Sequence, residues 1–341
     1  MEDPIPPHPG SPPLAPESIA RLDELLRCHL NDLDVYGIFS IPRSSYHQFR
    51  SSERFDLLHI QSYGLLNDGS VCALISIVLS LHRLGLKDHI ADPLPLAPDL
   101  PSMVLKKILT ALPSQEPFSL QLFISSWNNS EKYPKISQGN SDVIALAEAI
   151  ISNLSIKHEP TQVPFLTQFC GSYHCSECGL YHDRVKTWEG QIGSVIPLLS
   201  LSDSEDHVDL TSLMRAFLTE TFETRCSDAD CRSIIRDGRI VPVKGLFTII
   251  GVNRFDVDNP NRKKTTRVIL SDAERQALIS VICHRGEEND GHFVSYHEAN
   301  GRWYLNDDSQ YLQNADFPLD VSDTTSEENE TAQLLFFKNP S

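Results

Sequence analysis

The amino-acid sequence predicts an α+β fold in which helices come first along the chain and an antiparallel sheet follows. Apolar residues recur at helical spacing up to about residue 155. Between residues 165 and 310 the apolar runs are short, rich in Val, Ile, Phe and Tyr, and separated by turn residues, as is typical of antiparallel strands. A chain of 341 residues can also bury a sizeable core without disulfide bonds. Helices followed by strands give the α+β class.

The first 59 residues are predicted to form extensions that precede the main domain. Residues 1–16 hold seven prolines and almost nothing to bury, which predicts a disordered tail. From Glu17 onward, apolar residues at helical spacing predict an amphipathic helix that ends near Asn31. Residues 17–59 are therefore predicted to be a helical extension, and residues 60–341 the main domain.

Further helices are predicted within the main domain. The run from Cys72 to Leu84 is apolar nearly all round, which indicates a buried helix. Residues 102–112 and 141–155 also show helical periodicity, and Ser141 is a plausible N-cap for the second of these. The remaining segments are an inserted helix at 209–222, an acidic loop at 318–331 and a closing strand at 334–338.

The formal net charge of −17 limits the possible partners. Binding to a nucleic-acid duplex needs clustered cations, so this charge argues against nucleic acid as the main partner. No stretch approaches about 18 consecutive apolar residues, so no membrane span is predicted. The N-terminus has neither the basic start nor the apolar stretch of a secretory signal. We therefore expect an intracellular protein, in the cytoplasm, the nucleus or both, whose eight cysteines are thiols, metal ligands or a nucleophile.

A first candidate site is Cys72, at the start of the buried helix. The positive end of the helix dipole and the free backbone N–H groups stabilise a thiolate at such a position. Gly69 allows a tight turn before the helix, and the side-chain amide of Asn67 could reach a developing oxyanion. The alternative is that Cys72 is a small apolar residue of the core, since buried free cysteines are common.

A second candidate site combines His292 and Asp307. A strand that carries His292, a hairpin near Asn300-Gly301 and a return strand that ends in Asp307 would bring an imidazole and a carboxylate side by side. These are the base and the orienting group that a cysteine nucleophile requires. A histidine and an aspartate on one hairpin are ordinary when taken alone, so the site depends on its conjunction with Cys72.

Together these segments resemble the ubiquitin-specific protease family, papain-like enzymes that cleave ubiquitin from lysine side chains. The family's cysteine box reads Gly-Leu-x-Asn-x-Gly-Asn-Thr-Cys, and residues 64–72 read GLLNDGSVC. Its histidine box, His-x-Gly and then Gly-His-Tyr with an aromatic residue three positions on, is similar to residues 284–286 and 291–296. The family's Trp-x-x-Phe-Asp-Asp is matched by WYLNDD at 303–308. The resemblance covers about residues 60–338, in the family's order.

The resemblance implies both a fold and an activity. The implied fold is papain-like, with a helical thumb at 60–160, β fingers at 161–245 and a β palm at 246–341. The implied activity is that of a thiol isopeptidase, which hydrolyses the bond between the C-terminal glycine of a modifier and a lysine side chain.

The resemblance also assigns roles to individual residues. Cys72 would be the nucleophile, and His292 would accept the thiol proton and return it to the departing amine. Asp307 would orient His292, with Asp308 as a secondary candidate for that role. Asn67 and the backbone N–H of Cys72 would hold the oxyanion.

The identity of the modifier stays open at the sequence level. Ser70 and Val71 stand where the family's cysteine box has Asn and Thr, and a divergent branch that acts on SUMO has a similarly irregular box. Against this, carboxylates such as those at 202–206 and 287–290 suit ubiquitin, whose contact face is basic and whose tail is rich in arginine. Attraction of this kind raises association rates and is screened by salt. Ubiquitin is therefore the favoured partner, with SUMO or another ubiquitin-like protein as the alternative.

Two pairs of cysteines predict a metal site. Cys175 and Cys178 have two residues between them, and Cys226 and Cys231 form a looser pair with four. Two thiolate pairs on tight turns supply the tetrahedral sulfur ligands that zinc prefers. In the family that the chain resembles, such pairs join the tips of the fingers, so the resemblance implies a structural zinc ion. Two neighbours lie close enough in sequence to be substitute ligands, Cys170 and His174.

Two other functions compete with that of an isopeptidase. An inactive relative that binds ubiquitin as a scaffold would have no reason to keep Cys72, His292 and Asp307 together. A zinc-dependent hydrolase is disfavoured because the sequence has no His-Glu-x-x-His motif, and four cysteines make a closed structural site. Covalent labelling by a ubiquitin-based electrophile separates the active enzyme from the scaffold.

Overall fold

The structure of the chain, a computed structural model, describes residues 65–67, 71–91, 100–112, 118–130, 135–136, 142–154, 156, 165–187, 191–192, 196–202, 206–226, 228, 230–255, 263–264, 266–286, 291–299, 301–307, 310–314 and 330–339. Three predicted segments lie outside these residues, namely the tail at 1–16, the helical extension at 17–59 and nearly all of the acidic loop at 318–331.

Six α-helices lie within the described residues, and the first four precede the main strands. They are α1 (Cys72–Arg83), α2 (Leu100–Ala111), α3 (Gln121–Asn128), α4 (Val143–Asn153), α5 (Leu210–Thr219) and α6 (Asp272–Ala277). Within this part of the chain, no helix combines the length and the apolar character needed to cross a membrane.

The described strands form two principal sheets and two short parallel pairs. The strands are β1 (Leu65–Leu66), β2 (Phe118–Ser119), β3 (Gln168–His174), β4 (Tyr181–Thr187), β5 (Gln191–Ile192), β6 (Leu198–Ser200), β7 (His207–Asp209), β8 (Thr221–Arg225), β9 (Ile234–Val243), β10 (Phe247–Asn253), β11 (Arg267–Ile269), β12 (Leu278–Arg285), β13 (His292–Ala299), β14 (Arg302–Asp307), β15 (Gln310–Asn314) and β16 (Thr331–Lys338). The larger sheet has the order β15-β14-β13-β12-β16-β10-β6, and the smaller one the order β5-β4-β3-β9-β8. The pairs β1–β2 and β7–β11 are parallel. The predicted α+β class is confirmed.

The larger sheet is covered on both faces, which explains its apolar strands. Successive side chains of a strand point to opposite faces. In β16, Leu334 and Phe336 therefore pack with the helical half of the chain, whereas Leu335 and Phe337 pack into a second core that includes Phe217 of α5. Strands buried on both faces have near-continuous hydrophobic runs rather than an alternating pattern.

The N-cap of α4 differs from the prediction by one residue. Ser141 lies outside the described residues, and the N-cap is Asp142. Its Oδ1 accepts hydrogen bonds from the backbone N–H groups of Ile144 at 2.9 Å and Ala145 at 3.3 Å. A carboxylate at this position also interacts favourably with the positive end of the helix dipole.

The inserted helix is shorter than predicted, and α3 and α6 were not predicted. Helix α5 ends at Thr219, and the chain then becomes extended at Glu220. Residues 221–225, which include the strand formers Thr221 and Phe222, pair with β9 instead of continuing the helix.

Helix α1 packs against the larger sheet and runs in the same direction as β13. Near the end of the helix, Ser80 Oγ lies 2.9 Å from Ser280 Oγ, and Ser280 is paired with His297 of β13. At the last turn, Arg83 donates a hydrogen bond to the carbonyl of Glu298. Both the helix and the strand therefore approach their C-terminal ends together.

This alignment determines where the two elements begin. Cys72 precedes Ser80 by about 12 Å along a helix that rises about 1.5 Å per residue. His292 precedes His297 by about 17 Å along a strand that rises about 3.3 Å per residue. Cys72 and His292 therefore lie at the same end of the helix–sheet layer.

A buried chain of hydroxyl groups and one imidazole joins α1 to the sheet. His297 Nδ1 lies 2.9 Å from Ser280 Oγ, and His297 Nε2 lies 3.0 Å from Ser295 Oγ. Ser280 Oγ also contacts Ser80 Oγ, and Ser80 donates to the carbonyl of Ser76. Burial lowers the pKa of His297 to about 3, so the imidazole is neutral in the folded protein.

We expect the protein to lose stability as the pH falls from about 6.5 toward 4. Burial lowers the pKa of His82 and of His284 to about 4 and that of His297 to about 3. Below pH 6.5 the unfolded chain therefore binds more protons than the folded protein, and the free energy of unfolding decreases as the pH falls. Each histidine contributes at most about 1.4 kcal/mol per pH unit. The midpoint of thermal unfolding, measured between pH 7 and 4, checks this.

Two variants test whether a buried histidine causes this pH dependence: His297→Gln, and His207→Gln as its control. Gln in place of the buried His297 keeps hydrogen-bonding groups without a titratable ring, so the pH dependence should become shallower. His207 is exposed on β7, and its replacement should leave the dependence unchanged. A melting midpoint that is constant between pH 7 and 4 in the unsubstituted protein would contradict the assignment of neutral buried histidines.

Candidate active site and cysteine cluster

Cys72 is the first residue of α1 and is 9% exposed. The N-cap is Val71, which provides no side-chain hydrogen bond, and its carbonyl accepts the first helical bond from Ile75 at 2.9 Å. The N–H groups of the first turn have no carbonyl partner within an α-helix. The thiol therefore lies where backbone donors and the positive end of the dipole favour negative charge.

Asn67 lies before α1 and is connected to it by a hydrogen bond. Its Oδ1 accepts from the backbone N–H of Val71 at 2.8 Å. Because the amide oxygen is used in this contact, the amino end of the side chain is directed away from Val71. The intervening residues 68–70 lie outside the described part of the chain.

His292 and Asp307 are in direct contact. His292 is the first residue of β13 and Asp307 the last residue of β14, and the two strands form the expected hairpin, with Gly301 in the turn at a φ of 76°. His292 Nε2 lies 2.7 Å from Asp307 Oδ1. The contact with Asp307 uses Nε2 and does not involve Nδ1. Asp308, the secondary candidate, lies outside the described residues.

The second oxygen of Asp307 contacts an arginine that the sequence analysis did not identify. Arg285 Nη1 donates to Asp307 Oδ2 at 2.9 Å, and Arg285 Nε donates to Glu330 Oε2 at 2.7 Å. The hydrogen bond with His292 holds the pKa of Asp307 below its ordinary value; burial opposes this, and the charges of His292 and Arg285 support it. The carboxylate is therefore ionised at neutral pH.

His284, a residue of β12, is buried among aromatic side chains. It is 2% exposed, and its ring contacts Phe255 edge-on at 5.7 Å and Phe293 at 4.8 Å between centroids. Lys263 Nζ donates to the carbonyls of His284 at 2.9 Å and Gly286 at 3.1 Å. Lys263 thus holds the end of β12, next to the start of β13, and no pattern in the sequence indicated this contact.

The four predicted cysteine ligands lie together at one end of the smaller sheet. The Sγ atoms of Cys175 and Cys231 are 3.6 Å apart, as are those of Cys178 and Cys226. All four sulfur atoms lie within 4.8 Å of one another. Tetrahedral zinc–sulfur bonds of about 2.3 Å place sulfur atoms about 3.8 Å apart, so the cluster is compatible with a zinc ion.

Ser233 is a further member of the cysteine cluster. Its Oγ lies 3.0 Å from Cys175 Sγ and 3.2 Å from Cys231 Sγ. The hydrogen bond from Ser233 is the largest of the effects that lower the pKa of Cys175 to about 6. The hydroxyl therefore favours the thiolate form, which is the form that ligates metals. Of the two substitute ligands, His174 is exposed and outside the cluster, and the side chain of Cys170 is outside the described set.

Comparison with known proteins supplies independent information about the chain. A family model described as ubiquitin carboxyl-terminal hydrolase matches residues 63–337. Among solved structures, the SAGA DUB module Ubp8/Sgf11/Sus1/Sgf73 bound to monoubiquitin contains a similar chain, with a TM-score of 0.52 and 16% identity; the match covers 87% of this chain and 74% of that one. At this identity the likeness concerns the fold alone. No curated protein matches the sequence.

Proposed function

The chain belongs to the ubiquitin carboxyl-terminal hydrolase family and is a cysteine-type ubiquitin hydrolase, and from this premise we propose that it is a deubiquitinating isopeptidase with a Cys72-His292-Asp307 triad. The predicted family fold of thumb, fingers and palm is confirmed. The observation that carries the triad is the contact of 2.7 Å between His292 and Asp307, at the same end of the layer as Cys72. The proposed bond is the one between the C-terminal glycine of ubiquitin and a lysine side chain.

The proposed reaction uses Cys72 as the nucleophile. His292 Nδ1 accepts the thiol proton, and Sγ attacks the carbonyl carbon of the terminal glycine. The same imidazole returns the proton to the lysine amine as it departs, which leaves a thioester that water then hydrolyses. Asp307, bonded to Nε2, keeps the hydrogen on that nitrogen and stabilises the imidazolium that forms.

The oxyanion of the tetrahedral intermediate needs donors that are already in place. The backbone N–H of Cys72 lies in the first helical turn, and we assign the second donor to the amino group of Asn67. The hydrogen bond between Asn67 Oδ1 and the N–H of Val71 supports this role, because it fixes the plane of the amide. Donors held in this way cost no reorganisation when the negative charge develops.

The favoured modifier is ubiquitin, and SUMO is the second candidate because Ser70 and Val71 make the cysteine box irregular. The test is the ratio of turnover rates on matched fluorogenic ubiquitin and SUMO substrates at low and high salt. With a net charge of −17, we expect ubiquitin to be cleaved faster, by up to about 10–1000-fold if association is limiting, and the ratio to fall with salt. Faster cleavage of SUMO at both salt concentrations would contradict the assignment of ubiquitin.

We also propose that the cysteine cluster holds one structural zinc ion. Four sulfur ligands close the coordination shell and leave no position for a substrate or a reactive water. The ion would join the turn after β3 to the turn after β8, which are separated by 47 residues between Cys178 and Cys226. Among the described residues, the apolar cluster beside these cysteines is small, so a bound ion would add a cross-link that packing alone does not supply.

Loss of one zinc ligand is expected to destabilise the protein before it affects catalysis. Cys231→Ser should reduce the zinc content to below one equivalent per chain. It should also lower the free energy of unfolding by about 3–5 kcal/mol. Elemental analysis and thermal unfolding measure the two effects. Cys283→Ser is the matched control: Cys283 is buried in β12 away from the cluster, so its replacement should cost stability without loss of zinc. A metal-free preparation with full stability and activity would refute the structural role.

A further inference from the structure

Four ionisable side chains form a row at one end of the larger sheet, across the ends of four neighbouring strands. Each comes from the end of a different strand, in the sheet order β14, β13, β12 and β16. They are Asp307, His292, Arg285 and, immediately before β16, Glu330. Arg285 is paired directly with His292, and His284 is paired with Thr331, so the antiparallel register itself creates the row.

Arg285 contacts the two carboxylates through different nitrogen atoms. Nη1 donates to Asp307 Oδ2 at 2.9 Å, and Nε donates to Glu330 Oε2 at 2.7 Å. The side chains of Arg285 and Glu330 are only 16% and 12% exposed. Ion pairs so far removed from water are screened much less than surface pairs, and their geometry is better fixed.

We propose that Arg285, held by Glu330, is a positioning residue that fixes the Asp307 carboxylate against His292. This role rests on the proposed function, in which Asp307 orients the catalytic base. Rotation of the carboxylate would move Oδ1 away from His292 Nε2 and break their hydrogen bond. The hydrogen bond that Arg285 donates to Oδ2 opposes this rotation, and the one that Arg285 donates to Glu330 opposes movement of Arg285.

The charges of the row also explain why the arginine is accompanied by an acid. An arginine alone beside His292 would repel the imidazolium that forms during the reaction. Glu330 cancels that positive charge, so that His292 experiences the full charge of Asp307. The planar guanidinium can satisfy two carboxylates along two of its edges, which a lysine ammonium cannot do with the same geometry.

The other titratable groups around the row keep a constant charge near neutral pH. Burial lowers the pKa of His284 to about 4, and the charges of Lys263 and His292 act in the same direction. Burial and the charge of Glu330 raise the pKa of Tyr296 above its ordinary value. Burial raises the pKa of Cys283 well above its ordinary value, against the charges of Arg254 and Arg285. None of these three described groups is therefore expected to change charge near neutral pH.

The test is the pH dependence of Cys72 alkylation by iodoacetamide, measured by peptide mass spectrometry in the full-length protein. In the wild type, deprotonation of the thiol by His292 should make Cys72 react faster at pH 6 than it does in His292→Ala. Arg285→Lys keeps the positive charge but cannot donate to Asp307 and Glu330 with the geometry of the guanidinium. We expect its alkylation at pH 6 to fall by about 10-fold, which corresponds to a one-unit displacement of the profile. For cleavage of a ubiquitin substrate, kcat should fall by about 10- to 100-fold with little change in KM.

The matched control is Arg236→Lys in the smaller sheet. Arg236 pairs with Glu223 at 3.6 Å, but these side chains are 80% and 61% exposed. A pair of this kind contributes little, so the alkylation profile of the control should equal that of the wild type. An Arg285→Lys profile and kcat that also equal the wild type, with an unchanged melting temperature, would overturn the proposal.

Glu330→Gln provides a second test if Arg285→Lys folds poorly. It keeps the size of the side chain and removes the charge. Like Arg285→Lys, it should lower the rate of Cys72 alkylation at pH 6. If Glu330 acts through Arg285, the double variant Arg285→Gln/Glu330→Gln should be no worse than Arg285→Gln alone. If the losses of the two single variants multiply in the double variant, Glu330 does not act through Arg285, and this part of the proposal is overturned.

The wild-type profile separates failure of this proposal from failure of the proposed function. If Cys72 reacts no faster at pH 6 in the wild type than in His292→Ala, the Cys72–His292 pair is itself wrong. If the wild type does react faster than His292→Ala and the Arg285 and Glu330 variants react like the wild type, the triad stands and only the positioning role is wrong.

Discussion

Cys72→Ala is expected to abolish hydrolysis of ubiquitin conjugates while the fold is retained. The substitution removes the only atom that forms the covalent intermediate in the proposed mechanism, so the rate should fall by about 10⁶-fold. Alanine is a strong helix former, and the first turn of α1 tolerates it. Turnover of a fluorogenic ubiquitin substrate measures the loss, and thermal unfolding measures the stability.

Binding of ubiquitin provides the control for this variant. Cys72→Ala should bind ubiquitin with an affinity close to that of the wild type, because the substitution removes a single sulfur atom. Cys283→Ala, which removes a buried thiol of β12, should retain catalysis. Substantial turnover by Cys72→Ala would exclude this residue as the nucleophile.

His292→Ala is expected to have the second largest effect, with a loss of at least about 10⁴-fold in kcat. The substitution removes the group that we assign to accept the thiol proton and to return it to the lysine amine. KM should change little, since the ring acts on the reacting atoms. Initial rates with the same fluorogenic substrate, measured over a range of substrate concentrations, give both kcat and KM.

Asp307 provides the graded comparison. Asp307→Asn should leave the packing unchanged but cost less than His292→Ala, because it alters the orientation and charge around the base rather than the base itself. If Asp308 substitutes for it, the double variant Asp307→Asn/Asp308→Asn should lose more than either single variant. Wild-type activity in His292→Ala would remove the imidazole from the mechanism.

The parts of the site that the sequence predicts are those determined by short-range structure. Cys72 begins a helix that is recognisable from its apolar run, and His292 and Asp307 are joined by one hairpin. Gly301 adopts a φ of 76°, a left-handed conformation that favours glycine, so the turn is recognisable as well. The cysteine pairs have a spacing that itself suggests a metal site.

The contacts of Arg285 could not be predicted in the same way. Arg285 and Glu330 are separated by 45 residues along the chain, and their contact depends on the pairing of β12 with β16. A charged residue at the end of a strand is usually solvated, and no local pattern distinguishes this one. Ser233 was missed for a related reason, since a serine beside a cysteine pair has no distinctive spacing.

The differences among the secondary-structure elements have local causes. The end of the predicted helix at 209–222 is a strand because Thr221 and Phe222 can pair with β9, and that pairing outweighs the helical periodicity. Helix α3 is short, and its apolar residues are too few to give a clear period. At the start of α4, Ser141 and Asp142 are both good N-caps, and only the structure distinguishes them.

Covalent labelling by ubiquitin that carries an electrophile at its C-terminus tests the triad most directly. The wild-type protein should gain the mass of one ubiquitin, with the new bond at Cys72, and the rate of labelling should fall sharply in His292→Ala. Cys72→Ala should bind the probe without a covalent bond. If the wild type binds the probe but gains no mass, or if labelling occurs at a cysteine other than Cys72, the proposed nucleophile and the proposed triad are wrong.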